Sequence, residues 1–197
     1  MMNVITLNEA EFNRACDSLA IKIAEVGDTA ALIGVRAGGA MVAEKVFVYL
    51  QKQGIHLEYY EVGASRYATA AKNSYGIKSS FKYIPVFILD WLRIIEHYIV
   101  NLRMKLSEEV ERSVCLDDKL VDYLAGLDAG RLIIIDDAID SGATVKALID
   151  KINLINPELE VKVAVLVVTQ KKPLVSPDVC LYQNVLIRFP WSSDFKR

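Results

Sequence analysis

Cysteine is scarce in this chain, neither sign of charge dominates, and repeats and low-complexity tracts are absent. The three cysteines, Cys16, Cys115 and Cys180, stand far apart and have neither the spacing of a zinc knuckle nor that of a redox CxxC pair. They read as reduced thiols of a cytosolic protein. A formal net charge of −2 supplies no basic footprint for a phosphate backbone, so no nucleic-acid partner is expected. The opening residues, MMNVITLNEAEFNRA, lack the basic-then-apolar pattern of an export signal, and the expected location is cytoplasmic. What is present is apolar: 53% of 197 residues are hydrophobic and 24% charged, the balance of an ordered globular chain about one domain long.

Asn8, followed by Glu9, Glu11, Phe12, Ala15 and Leu19, predicts a capped amphipathic helix running to about Val26. Ala30 to Val35 is a short continuous apolar run of strand type, ending in Arg36-Ala37-Gly38-Gly39, with a helix after it from about Ala40 to Gln53. His56 to Val62 is a further strand candidate, and Gly63 to Ser80 has the composition of a loop. Leu132 to Ile135 and Val161 to Val168 are buried strands on either side of a helix expected at about Thr144 to Asn153. The proline-containing tail allows only short strands and turns. Strands in Val/Ile/Leu runs that alternate with helices indicate an α/β fold whose parallel sheet is flanked by helices on both faces.

One stretch departs from this alternation. Phe81 to Ser113 reads as a long helix in which Ile84, Ile88, Trp91, Ile95, Tyr98 and Leu102 repeat in four- and three-residue steps. Asp90, Arg93, Glu96 and His97 fall in its middle and exclude a membrane span. Asp117 to Leu127 reads as a shorter helix returning across it. We expect residues 81–127 to form a helical insertion within a single domain of residues 1–197, the 81–113 helix serving in packing or as a homo-oligomer interface.

The chemistry is concentrated in Leu132-Ile133-Ile134-Ile135-Asp136-Asp137-Ala138-Ile139-Asp140-Ser141-Gly142-Ala143-Thr144. An apolar strand delivers two adjacent carboxylates to the carboxyl edge of a parallel sheet, where ligands bind in such folds. The turn after it offers hydroxyls, backbone N–H groups and the positive end of a helix, which together cradle a monophosphate. Carboxylates for sugar hydroxyls just ahead of a phosphate cradle describe a ribose 5-phosphate site.

This stretch resembles the signature of the type I phosphoribosyltransferases, apart from Ala138, where a larger aliphatic residue is usual. The resemblance implies that phosphoribosyl pyrophosphate (PRPP) is held by Asp136, Asp137, Asp140, Ser141, Gly142, Ala143 and Thr144. Asp136 and Asp137 would take the ribose hydroxyls and serve a Mg²⁺ ion. Ala31 to Gly39 is similar to the family's pyrophosphate loop, placing Arg36, Ala37, Gly38 and Gly39 on the leaving pyrophosphate, with a cis peptide expected at Ala37-Gly38. Aspartate at position 140 matches the members acting on 6-oxopurines, where it exchanges a proton with N7 of the base; capping the next helix is its structural alternative. The stretch Val168 to Pro173 resembles that of bacterial xanthine/guanine enzymes, which makes Lys172 the partner of the purine oxygen, with Lys171 in reserve and a surface lysine pair as the plain alternative. Leu186 and Ile187 would flank the base in a small hood formed by the C-terminal tail, and Trp191 would be structural. The lid would lie in Gly63 to Ser80, at Ser65-Arg66-Tyr67 or at Ser74-Tyr75. The expected ligands are PRPP and a nucleobase, without membrane attachment. A regulatory PRPP-binding protein related to the pyrimidine-operon regulators, or an enzyme for another base, is the alternative.

Overall fold

The continuous apolar runs become the centre of one sheet. A computed structural model describes residues 2–66, 85–106 and 112–195. Its elements are β1 (Asn3–Thr6), α1 (Glu9–Val26), β2 (Ala31–Val35), α2 (Gly38–Lys52), β3 (Glu58–Arg66), α3 (Val86–Leu106), β4 (Arg112–Cys115), α4 (Asp118–Gly126), β5 (Gly130–Ile139), α5 (Ala143–Ile155), β6 (Leu159–Val168), β7 (Val179–Gln183) and β8 (Val185–Arg188). Six strands pair in the order β4-β3-β2-β5-β6-β7. All neighbours are parallel except β3 and β4.

Alternate side chains of the central strands enter two cores, as the two-residue period of a strand requires. Leu32, Ile133, Ile135, Ala164 and Leu166 pack with α1 and α2, while Ala31, Ile33, Leu132, Ile134, Val163 and Val165 pack with α4 and α5. A sheet covered on both faces can be apolar at every position, which is why these strands read as unbroken runs. The predicted first helix forms with the capping box that Asn8 and Glu11 allow: Glu11 N–H donates to Asn8 Oδ1 (2.9 Å) and Asn8 N–H to Glu11 Oε2 (2.8 Å).

Three expectations about local structure are corrected. The chain from Gly63 to Arg66 is strand, because β4 pairs antiparallel with it through Gly63↔Cys115 and Arg66↔Arg112. Tyr67 and Ser74-Tyr75 of the expected lid lie outside the described residues. The long helix is α3, Val86–Leu106, so Arg112 and Ser113 belong to β4; Pro85 stands just ahead of it, its carbonyl accepting from the N–H groups of Ile88 and Leu89. The shorter helix does not return across α3. Leu120 and Leu124 bury α4 in the core beside α5. Among the described residues, no helix is long and apolar enough to cross a membrane.

The tail builds a second, two-stranded parallel sheet in which β8 pairs with β1, from Asn3↔Val185 to Thr6↔Arg188. Arg188, only 2% exposed, ties this hood to α3. It donates to Thr6 Oγ1 (2.9 Å), Asp90 Oδ1 (2.7 Å) and Asp194 Oδ2 (2.9 Å). Arg93 completes the clasp by donating to Asp194 Oδ1 (2.8 Å) and to the carbonyl of Ile187. Two cations facing two carboxylates satisfy one another where a lone buried charge would be costly. Burial opposes ionisation of Asp194, but the Arg188 hydrogen bond and the Arg93 charge outweigh it and hold its carboxyl below the usual range. A depressed native pKa adds stability above the unfolded value, about 3.9, and loses it as pH falls through the native one. Asp194→Asn is therefore expected to cost roughly 2 kcal/mol at neutral pH. Thermal midpoints followed from pH 6 down to acid should begin to converge with those of the wild type near pH 4 and meet only at more acid pH, below the native pKa.

Candidate active site

The parallel pairing of β2 with β5 brings together two motifs that are distant in sequence. Gly34 lies opposite Ile135 in the register, so the chain leaving β2 runs over the Asp136-Asp137 pair at the end of β5. The contact is close. A Cβ added to Gly38 would lie 2.4 Å from Cγ of Asp137, and one added to Gly39 would lie 2.7 Å from Cα of Asp136. Only glycine lets two backbones approach in this way. Helix α2 consequently starts at Gly38, earlier than the expected Ala40, and no side chain caps it. Its positive end is thus directed at the carboxylates. The cis peptide of this loop is Arg36-Ala37, one bond before the expected one.

Asp136 and Asp137 are half-buried. The Asp137 N–H donates to Asp136 Oδ1 at 2.9 Å, which fixes the first carboxylate. Burial pushes the Asp137 carboxyl above the ordinary aspartate value; hydrogen bonds from its surroundings oppose this, and the charge of Asp140 adds to it. A cationic or hydroxyl-rich ligand would relieve that cost. Among the described residues, no group of three His, Cys, Asp or Glu side chains gathers to cage a metal. The adjacent carboxylate oxygens do suit a Mg²⁺ ion that takes most of its ligands from bound phosphates and water.

Arg36 follows β2 and its side chain remains 62% exposed, with Nε held by Glu61 Oε2 at 2.8 Å. Tyr59 steadies the other oxygen of Glu61 at 3.0 Å. Hydrogen bonds from Arg36 and then Tyr59 keep the Glu61 carboxyl below the usual range, while burial and Glu61 together raise the Tyr59 phenol. Sequence reasoning missed Glu61 and Tyr59. Their meaning comes from strand order: β3 lies beside β2, so its acidic position near the strand end falls beside the cation that follows β2.

The turn Asp140 to Thr144 closes over the same edge. Gly142 has φ +78° and is the N-cap of α5, which no side chain caps. Asp140 stands two residues ahead of that cap, which sets aside its alternative reading as a helix cap. The Ala143 N–H reaches Ser141 Oγ at 3.4 Å, and the Ser141 carbonyl accepts from Leu174 N–H at 2.8 Å, so the tail is laid against the turn. Ser141, Ala143 and Thr144 are half-buried around an uncapped helix end, a geometry that seats an anion. Asp140 is exposed, and the buried Thr169 hydroxyl donates to its Oδ1. Thr169 is the third residue missed. It directly follows β6, whose neighbour is β5, and a hydroxyl there meets the end of the signature strand.

The remaining predicted residues are more dispersed. Lys171, with Gln170, Pro173 and Asn184, lines a cleft of about 170 Å³ at the ends of β6 and β7; Lys172 is exposed beside it. Leu186 and Ile187 are buried on β8, and Ile187 belongs to the core shared with α1 and α2. Trp191 stacks on Phe189 (4.7 Å between centroids) and meets Phe12 edge-on (5.0 Å), a structural placement.

Residues 6–193 match the family model described as phosphoribosyl transferase domain. Among curated proteins no sequence relative is found. Solved structures with the same fold include a purine phosphoribosyltransferase from Pyrococcus horikoshii Ot3, with 18% identity over 97% of this chain and 95% of that one, and a TM-score of 0.58. A xanthine-guanine-hypoxanthine phosphoribosyltransferase from Helicobacter pylori is 15% identical over 96% and 94% of the two chains, with a TM-score of 0.61. A hypothetical protein from Neisseria gonorrhoeae with bound ppGpp is 18% identical over 97% and 90%, with a TM-score of 0.60.

Proposed function

Because the chain belongs to the phosphoribosyl transferase family and is a phosphoribosyltransferase, we propose that it moves phosphoribose from PRPP to N9 of a 6-oxopurine, releasing pyrophosphate. The observation that carries this reading is the laying of Gly38 and Gly39 onto Asp137 and Asp136. It joins a loop suited to pyrophosphate to a strand end suited to ribose, so the bond between C1 of the ribose and pyrophosphate would span the junction.

In this reading Asp136 and Asp137 receive the two ribose hydroxyls. The N–H groups at the start of α5 hold the 5-phosphate together with Ser141 and Thr144. Arg36 and the backbone of Ala37, Gly38 and Gly39 take the leaving pyrophosphate, whose growing charge a fixed cation and amides stabilise. Asp140 accepts the N7 proton as N9 forms its bond to C1 and the C1–O bond to pyrophosphate breaks. Thr169 positions the Asp140 carboxylate for that transfer. Lys172 or Lys171 donates to the 6-oxo group, and Leu186 and Ile187 form the hood beside the ring. Asp136 and Asp137 would hold a Mg²⁺ ion together with the substrate, and the ion would supply charge neutralisation of the pyrophosphate.

The decisive assay supplies PRPP and Mg²⁺ with hypoxanthine, guanine, xanthine, adenine, orotate or uracil in turn, and detects nucleotide product by chromatography. Product with at least one 6-oxopurine is expected. Product from orotate or uracil alone would move the enzyme to another substrate class. Glu61→Gln tests the pyrophosphate arm separately. With Arg36 no longer steered, KM for PRPP should rise roughly threefold to tenfold at little cost in kcat, the modest size reflecting an exposed ion pair.

A further inference from the structure

The connection from β6 to β7 is held against the Asp140–Thr144 turn by its backbone. Leu174, midway along it, leaves its side chain 67% exposed, so packing does not account for its place. Its N–H donates to the Ser141 carbonyl at 2.8 Å. The next residue lies on Gly142, where an added Cβ would come within 3.0 Å of Val175 N. The stretch is stiff and anchored. Pro173 and Pro177 bracket it with two fixed φ angles, and Val175 packs against the core that α4 and α5 cover. Beyond it, the Asp178 N–H is tied to the Val163 carbonyl at 2.8 Å. Residues 173–177 thus form a strap closed on the turn.

We propose that the Leu174 N–H is a positioning group that fixes the polarity of the 5-phosphate seat, an inference that rests on the reading of that turn given above. The Ser141–Gly142 peptide is planar and trans, so its C=O and N–H point in opposite directions. With the carbonyl drawn to the strap, the Gly142 N–H faces away from it and joins the donors offered to the phosphate. Gly142 has φ 78° and ψ 4°. These are the angles of the third residue in a type II turn, about +80° and 0°. The type I alternative, about −90° and 0°, differs by a flip of this one peptide, and glycine accepts either sign of φ. Flipped, the peptide would present the Ser141 carbonyl oxygen where the N–H had been, and a phosphate is repelled by that oxygen. Glycine leaves the choice open. The strap makes it, because only the present orientation gives the Leu174 N–H its acceptor.

Calorimetric titration of the full chain with ribose 5-phosphate, and separately with pyrophosphate and Mg²⁺, tests this. Leu174→Pro removes the N–H and should weaken ribose 5-phosphate about tenfold, the scale of one hydrogen bond to a charged group, while pyrophosphate binds as before. Leu174→Ala keeps the N–H and should retain the ribose 5-phosphate affinity. Should the proline variant fail to fold, a chain carrying the α-hydroxy analogue of leucine at position 174 decides, since it exchanges only that N–H for oxygen. Turnover should show the same split, with a raised KM for PRPP and kcat little changed. A strap that merely supports the fold would lower the thermal midpoint and leave ribose 5-phosphate affinity intact, which would overturn the proposal. An equal loss for both ligands would overturn it as well, because it signals general distortion. A wild type that binds no ribose 5-phosphate would overturn instead the reading of the turn, and this inference with it.

Discussion

Asparagine in place of Asp140 is expected to lower kcat by about 10²–10⁴-fold, the range a positioned general base contributes, while PRPP affinity changes little. The substitution is nearly isosteric, and its amide oxygen can still accept from the Thr169 hydroxyl that holds Oδ1. The turn into α5 should keep its shape, since Gly142 is the residue that shapes it and no side chain caps that helix. What is lost is the ability to take a proton. Isothermal calorimetry with PRPP and Mg²⁺ beside steady-state turnover separates the two effects: a purely structural Asp140 would leave turnover near wild type, because asparagine can still accept the Thr169 hydrogen bond. A loss confined to kcat is the signature of a group needed in the transition state.

The sequence was informative where a local pattern carries a physical meaning. Parallel strands buried on both faces are apolar throughout, so β2, β5 and β6 were legible as runs, and Asn8 with Glu11 marked the start of α1. The signature around Asp136 to Thr144 was legible because strand, carboxylates and helix start are contiguous. Elements lacking such a pattern were not. β1 and β4 are four-residue edge strands whose existence depends on β8 and β3. The expected helix ran too far at its C-terminal end, to Ser113, because nothing local says that Arg112 and Ser113 pair with β3; its expected start at 81–84 lies outside the described residues. The charges at Asp90 and Arg93 argue against a membrane span, yet nothing local says that they face inward to Arg188 and Asp194. Likewise Glu61 and Thr169 acquire meaning only from strand neighbours, and strand order is a property of the whole chain.

Strand order is also what makes Gly38 the most sensitive position in the loop. Alanine there is expected to reduce PRPP affinity by about 100-fold, or ~2.7 kcal/mol, with only a small loss of thermal stability. Its Cβ would meet Asp137 Cγ and Oδ2 at 2.4 Å, which no packed structure sustains, but a carboxylate can swing away on its own side-chain torsions. The fold survives and the ribose contact does not. Gly39→Ala should show the reverse emphasis. Its Cβ would strike the β5 backbone, 2.7 Å from Asp136 Cα and 2.8 Å from the Ile135 carbonyl oxygen, and a central strand cannot shift without its neighbours. A stability loss of about 1–3 kcal/mol, the usual cost of overpacking, is expected there in addition to lost binding. Gly126→Ala is the control, since a Cβ at that position meets nothing within 4 Å. Calorimetric titration and thermal melts on the three variants would distinguish a site built by backbone approach from one built by side chains alone: if Gly38→Ala binds PRPP as the wild type does, the loop after β2 is not part of the ribose-pyrophosphate site.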